Sequence, residues 1–379
     1  MVVPAAVVPT AAVMTHIVTV TGYNSDGEGV ARLDDGRVAF VRNAARGDVL
    51  EIALIKEHPR SARAEIVRVL TPSKHRAEPD CPAYPECGGC DFRHISYDEE
   101  LGAKLRRVND AMERIGGLPV RVSEILRTGQ PDGYRNKAVL HSTFHSDGAS
   151  FGFYGAHSHD VVPIERCLLL KDDLNDAIKC MKPNNGGVTL RSGRNGLEQP
   201  LEEELGGLVF RISGFFQVNT GAALLLYEKA REYAAMSGRE ALLDLYCGVG
   251  SLTLFVGRDA GYALGVEQDA SAVGVAWENA RSNNLSHIEF SCADVAKWDP
   301  GGLCPDCVIV DPPRKGLSPG AVRKILGLSP KRIVYVSCDP ATLARDLRLL
   351  DRYTVKDICA VDMFPRTANV ECCCLLCRS

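Results

Sequence analysis

The sequence predicts an α/β fold in which a Rossmann-like carboxy-terminal domain follows a small β-barrel and a mixed central region. Three observations predict it. Residues 242–245 form a short apolar run that enters a glycine-rich turn, Tyr246-Cys247-Gly248-Val249-Gly250-Ser251, and then a helical stretch over 252–256, the opening of a nucleoside-binding α/β unit. Two later apolar runs, 307–310 and 332–337, end at Asp311 and Cys338, so polar groups are delivered to the ends of buried strands. Near the amino terminus, five short apolar runs alternate with turn residues, the spacing of a small closed barrel.

In chain order, the residues before Thr15 are small, apolar and proline-containing, with no positive charge ahead of them. They do not make a targeting signal, and Met14 is a candidate start. The barrel strands are expected over 16–23, 30–33, 38–41, 49–56 and 64–70, with turns at Gly22, Asp34-Asp35-Gly36 and Arg46-Gly47-Asp48. Over 56–76, six lysines and arginines and two histidines stand against two glutamates. Such a run is often only a solvated face; beside an oligonucleotide-binding type of barrel it reads as a set of phosphate contacts. The formal net charge of −4 conceals this local positive stretch.

The central region holds strand signals over 134–144 and 150–154 and a charged helix over 98–116 that ends at Gly116-Gly117. The expected division is 15–74 for the barrel, 75–213 for the central region and 214–379 for the Rossmann-like domain. Cys81, Cys87 and Cys90 lie within ten residues among prolines and glycines, with Cys167 as a distant fourth thiol. Four such thiolates can wrap one metal centre, and the spacing alone permits zinc as well as an iron–sulfur cluster.

The chain has fifteen cysteines but no signal peptide and no long apolar run, which points to a reducing cytoplasm and away from a disulfide framework or a membrane. Cys304 and Cys307 have redox-motif spacing but precede a strand rather than a helix, and Cys372, Cys373, Cys374 and Cys377 sit in the last apolar segment. Both groups are read as small buried hydrophobes.

The chemistry concentrates in two places. Ser337-Cys338-Asp339-Pro340 and, further on, Pro365-Arg366-Thr367-Ala368-Asn369-Val370-Glu371 place a strand-end thiol and a carboxylate in one candidate site. A thiolate is the strongest nucleophile among the common side chains, and a carboxylate can remove a proton from the adduct it forms. Uracil is a suitable electrophile, because attack at carbon 6 makes carbon 5 nucleophilic. At the glycine turn, Glu267 ends the next strand at the distance where such folds hold a ribose. No second phosphate-reading element follows, so a nucleoside cofactor without phosphates fits, and S-adenosylmethionine meets that description.

The motifs Phe215-Phe216-Gln217-Val218-Asn219, L-D-L-Y-C-G-V-G from Leu242, Asp311-Pro312-Pro313-Arg314, Ser337-Cys338-Asp339-Pro340 and Met363-Phe364-Pro365-x-Thr367-x-x-Val370-Glu371 occur in this order. With Gly133-Tyr134-Arg135-Asn136-Lys137, they make the chain resemble the RNA uracil-5-methyltransferases over nearly its whole length. The resemblance implies a class I S-adenosylmethionine-dependent domain and an amino-terminal TRAM barrel. It also implies Cys338 as nucleophile, Glu371 as base, and Gln217, Tyr246, Ser251, Glu267, Asp294 and Asp311 around the cofactor, with Asp311 between cofactor and uracil.

Ser251 stands where the family often has asparagine, and Arg366 and Asn369 stand where it usually has histidine. The ribosomal members with this cysteine spacing carry a [4Fe-4S] cluster, which the resemblance assigns to Cys81, Cys87, Cys90 and Cys167. It further implies large-subunit (23S) ribosomal RNA as substrate, since the transfer RNA enzymes generally lack the barrel and cluster, and a monomer.

Transfer RNA methylation is the nearest rival. An inactive RNA-binding protein would not need the Cys338 and Glu371 pair, and a small-molecule or protein methyltransferase would not need a thiol before Asp339-Pro340 or an amino-terminal barrel.

Overall fold

Five strands, β1 (Thr15–Tyr23), β2 (Gly29–Arg32), β3 (Val38–Val41), β4 (Val49–Glu57) and β5 (Ser61–Thr71), close into a barrel in the order β1-β2-β3-β5-β4. The computed structural model describes residues 14–145, 148–184, 186–212 and 214–379; the reading of the first thirteen residues falls outside these, as does the boundary residue Ser213. Alternation decides the barrel's interior: Val18, Val20, Ala39, Val41, Leu50, Ile52, Ala62 and Ala64 point inward and are buried, as a period of two requires.

The basic run does not form one free face. Arg76 turns inward to the fully buried Asp48, with Nη2 2.7 Å from Oδ2, while Arg68 meets Glu51 at 3.1 Å and Arg63 meets Glu28 at 3.8 Å. Asp48 also accepts from the N–H groups of Ala45 and Ser73. Part of this charge therefore fixes the barrel's own loops. Lys56, Arg60 and Lys74 remain exposed.

Contacts divide the chain into two units. One takes in the chain up to Pro85, Cys90–Ala103 and Arg366–Ala368; the other comprises Glu86–Gly89, Lys104–Pro365 and Asn369–Ser379. Helix α1 (Tyr97–Ala111) counts with the first up to Ala103 and with the second from Lys104. A π-turn over Met112–Gly116 continues it, and Gly117 ends it at φ +61°, a conformation glycine adopts without strain.

The second unit begins with a short strand, β6 (Ile125–Leu126), and then a small antiparallel sheet of β7 (Lys137–His145), β8 (Gly148–Tyr154), β9 (Val161–Pro163) and, after helix α2 (Asp172–Cys180), β10 (Val188–Arg191). Ala138, Leu140, Phe151, Leu174 and Ile178 form its core. A hairpin of β11 (Glu202–Leu205) and β12 (Leu208–Arg211) leads to α3 (Thr220–Ala234), which Asn219 caps by accepting from the Ala222 N–H.

The remaining elements are β13 (Ala241–Leu245), α4 (Ser251–Gly257), β14 (Tyr262–Glu267), α5 (Ala270–Ser282), β15 (Ile288–Cys292), β16 (Cys307–Val310), α6 (Pro319–Leu328), β17 (Arg332–Ser337), α7 (Pro340–Leu347), β18 (Tyr353–Val361) and β19 (Glu371–Arg378). Their strands make one sheet in the order β15-β14-β13-β16-β17-β19-β18-β6. Strands β13 to β17 pair in parallel, whereas β19 is antiparallel to both of its neighbours.

Each central strand alternates between two buried layers. Leu242, Ile309, Val334 and Cys373 face α3 to α5, and Leu243, Val308, Val310, Tyr335, Cys372 and Cys374 face the layer of α6 and α7. Burial pushes the thiols of Cys372, Cys373 and Cys374 upward, in keeping with their reading as packing residues. Among the described residues no helix is long and apolar enough to cross a membrane.

Candidate active site

The strand order reverses at β13. Its chain successor β14 lies on one side and β16 on the other, and ligands of open α/β sheets bind at the carboxyl ends of strands at such a point. Here β13 leads into Tyr246, β14 ends at Glu267, β16 is followed by Asp311 and β17 by Cys338. Because β19 runs antiparallel, it begins where its neighbours end. The register pairs Ser337 with Cys372 and Val361 with Glu371, which brings Glu371 beside Cys338 at the same edge.

Local chemistry holds each group there. Asp339 caps α7 by accepting from the Thr342 N–H at 2.7 Å, Pro340 takes the first helical turn, and Arg107 lies 3.2 Å from the same carboxylate. Cys338 is thus fixed between a strand end and a cap. In the glycine turn, Tyr246, Gly248 and Gly250 have φ of +69°, +54° and +78°. A Cβ on Gly250 would stand 2.7 Å from the Phe290 ring, so glycine is required there. Glu267 ties this turn to β14 by accepting from the Gly248 N–H at 3.2 Å and from Gln268 and Asp269.

Electrostatically the edge is a crowd of carboxyls. Burial, followed by the nearby Asp311 charge and opposed by Arg314, raises Glu371 to about 8. Burial alone raises Asp311 to about 7. Burial raises Asp244 to about 7, with Asp311 and Glu267 adding to the shift and a 2.6 Å hydrogen bond from Thr253 opposing it. The Cys338 thiol is pushed up to about 11 by burial and then by Glu371, with Arg314 opposing and Asp311 adding. Cys338 at rest is therefore a thiol, and Arg314 is the one cation among these influences.

Gln217 is buried, and its backbone is held from outside the sheet. Asn136 donates to the Gln217 carbonyl at 3.1 Å, and Arg191 donates to the Phe216 carbonyl at 2.6 Å. The loop leading towards Glu371 is anchored by a fully buried ion pair, Lys104 Nζ to Asp362 Oδ1 at 2.6 Å, with a further bond to the Phe364 carbonyl; Tyr134 donates to the Pro365 carbonyl. Removing one partner of a buried pair of this kind costs about 3–5 kcal/mol.

The motif residues Asp244 and Arg314 were legible in the sequence but carried no role, because only burial and mutual distance give them one. Tyr227, Thr253 and Lys104 had no signal there at all. Asp294 is exposed, with Oδ1 accepting from the Ala296 N–H. Ser251 is partly exposed and shares a 2.8 Å hydrogen bond with Tyr227.

The four thiols of the proposed metal centre are divided, Cys81 and Cys90 in the first unit and Cys87 and Cys167 in the second. Cys87 lies in a turn bridged to Gly155, and the Cys167 N–H donates to Asn175. Among the described residues, no group of three or more His, Cys, Asp or Glu side chains is gathered to hold a metal ion. The expected iron–sulfur or zinc centre thus has no support in the geometry. Arg366, in a family histidine position, belongs to the first unit, where its N–H donates to Glu100 and its carbonyl accepts from Asp91 and Phe92; Asn369 belongs to the second.

Residues 303–379 match the family model described as tRNA (Uracil-5-)-methyltransferase, and residues 15–67 match the TRAM domain. The chain is 32% identical to an uncharacterized RNA methyltransferase of Bacillus cereus, over 93% of this chain and 94% of the relative. It is likewise 32% identical to one from Synechocystis, over 94% of each. Its fold is similar to that of the Pyrococcus abyssi tRNA (uracil-54, C5)-methyltransferase, at 24% identity and a TM-score of 0.75, covering 95% of this chain and 100% of that one. With a TRAM barrel ahead of a Rossmann-like sheet that gathers a thiol and carboxyls along the carboxyl edge of its parallel strands, the chain belongs to the RNA (uracil-5-)methyltransferase family.

Proposed function

We propose that this methyltransferase modifies carbon 5 of a uridine in RNA, with S-adenosyl-L-methionine as methyl donor, through a transient bond between Cys338 and carbon 6. What carries the reading is the meeting of Cys338 with Glu371 at one sheet edge, beside Asp311 and Arg314. Further support comes from the glycine turn closed by Glu267 and from the Pyrococcus abyssi protein, which was solved with S-adenosyl-L-homocysteine. Gln217, Tyr246, Ser251, Glu267, Asp294 and Asp311 would surround the cofactor. When bound, the cofactor supplies the methyl group and a positive sulfonium.

The division of labour follows the three regions 15–74, 75–213 and 214–379, with the barrel and central region gripping RNA while the target uridine leaves its stack, since its ring is unreachable inside one. Cys338 passes its proton to solvent and its sulfur bonds to carbon 6, as the carbon 5–carbon 6 double bond opens to an enolate. Carbon 5 then takes the methyl group. Glu371 removes the hydrogen from carbon 5, the double bond re-forms and the bond to sulfur breaks, returning the thiolate. Asp311, which burial raises to about 7 and so leaves about half protonated at neutral pH, holds the imide edge of the ring.

For the substrate, we propose large-subunit (23S) ribosomal RNA, on the strength of the cysteine spacing. Transfer RNA is the second reading, favoured by the whole-length likeness to a transfer RNA enzyme, which removes the barrel as a reason to prefer ribosomal RNA. Incubating the purified chain with methyl-labelled S-adenosylmethionine and unmodified transcripts of each kind decides it. 5-Methyluridine should appear in the ribosomal transcript; label in transfer RNA alone would reverse the substrate reading, and a methylated base other than 5-methyluridine would reject the reaction.

The cysteine spacing, with the family resemblance, supports a [4Fe-4S] centre at Cys81, Cys87, Cys90 and Cys167, which the methyl transfer itself does not need. Anaerobically purified protein should be brown, with about four irons per chain. Colourless, iron-free protein would remove the cluster and with it the reason to prefer ribosomal RNA.

A further inference from the structure

Tyr227 lies on the buried side of α3, 4% exposed, with its ring against Phe255 at 5.6 Å between centroids. Its phenol oxygen is 2.8 Å from the hydroxyl of Ser251, the first residue of α4 after the glycine turn. The mechanism above makes no use of that phenol. Burial pushes it above its ordinary range, opposed by the hydrogen bond with Ser251 and aided by the Asp311, Asp244 and Glu371 carboxyls; because Ser251 is the phenol's one hydrogen-bond partner among the described residues, the buried phenol satisfies its O–H by donating to the serine oxygen. A serine hydroxyl that accepts from a phenol has its own single proton left to give elsewhere.

The partly exposed Ser251 thus carries a directed proton from the core to the open side of the turn. In the strand that leads into this turn, β13, Asp244 Oδ1 is buried and has no hydrogen-bond partner among the described residues. One oriented donor and one waiting acceptor match the two ends of an amino acid, a carboxylate and an ammonium. We propose that Tyr227 is a positioning residue that aims the Ser251 proton at the α-carboxylate of the amino-acid part of the methyl donor. The inference rests on the S-adenosylmethionine reading above, and it explains how a short serine side chain serves a contact at this position.

Calorimetric titration of the full chain with S-adenosylhomocysteine, and with 5′-methylthioadenosine, which lacks the amino-acid part, separates positioning from packing. Tyr227→Phe and Ser251→Ala should each weaken S-adenosylhomocysteine about tenfold, the worth of one hydrogen bond to a charged group. Both should leave methylthioadenosine unchanged, and the double variant should bind no worse than either single one. Equal weakening of both ligands, additive losses or no loss would overturn the proposal. Should Tyr227→Phe fail to fold, Ser251→Ala without a selective loss overturns it by itself. Wild-type protein that binds neither ligand sinks the methyl-donor reading and this inference together, whereas selective binding with unselective variants sinks only the inference.

Discussion

Replacing Cys338 with alanine is expected to reduce methyl transfer by at least about 10⁴-fold while leaving the fold intact. The side chain is half-buried at a sheet edge and belongs to none of the buried core clusters, so its loss opens no large cavity. What disappears is the only route the site offers for making carbon 5 nucleophilic. Without sulfur at carbon 6, no neighbouring group of comparable nucleophilicity can replace it, since a carboxyl is a far weaker nucleophile than a thiolate and burial raises Asp311 to about 7 and Glu371 to about 8. RNA containing 5-fluorouridine supplies an independent readout. Fluorine cannot leave carbon 5 as a proton does, so wild-type protein should be trapped on that RNA as a denaturation-stable complex, and Cys338→Ala should not. Full turnover by the alanine variant, or no trapping of wild type, rejects the covalent route.

Glu371→Gln acts at the other end of the reaction. Removal of the carbon 5 proton by a placed base is worth about 10²–10⁴-fold, so product release should fall by that amount while methylated RNA accumulates on the protein. Release at the wild-type rate would show that another group is the base. The pH dependence has a definite sign. Burial first, and then the Asp311 charge, places Glu371 at about 8, and a base must be ionised to act. Single-turnover release by wild type should therefore quicken as pH rises from about 6 to about 8, then level off, and the glutamine variant should lose this slope.

Stability moves the other way. A carboxyl raised on folding contributes stability that is fully present below its ordinary value of 4.5 and is lost as pH rises through about 8. Asp244 and Asp311, raised from 3.8 to about 7, act in the same direction. On the proposed mechanism the site gains its base by holding carboxyls where their charged forms are disfavoured, so activity and stability should diverge across this pH window.

Much of this was legible in one dimension. The barrel strands fall within a few residues of their expected places because inward and outward residues alternate strictly, as in Val18 and Val20 or Ala62 and Ala64. The helix starts at Asn219, Ser318 and Asp339 went unread, although a cap needs only its own side chain and the next few N–H groups. Within the basic run, a positive residue carries no mark in the sequence of the carboxylate it will meet; Arg76 meets the buried Asp48.

The sequence by itself determined which chemistry stands at each strand end: a glycine turn after β13, an acid at Glu267 and at Asp311, a thiol at Cys338. These are short-range patterns, set by which residues suit a buried strand and the turn that leaves it. Only the tertiary structure decided that β19 enters the sheet antiparallel and so delivers Glu371 to the thiol. The same holds for Lys104, which crosses some 260 residues of chain to neutralise Asp362, and for Tyr227, which reaches Ser251 from another helix. Strand order and the pairing of distant charges depend on the free energy of burying whole elements against one another, and no local run of residues encodes it.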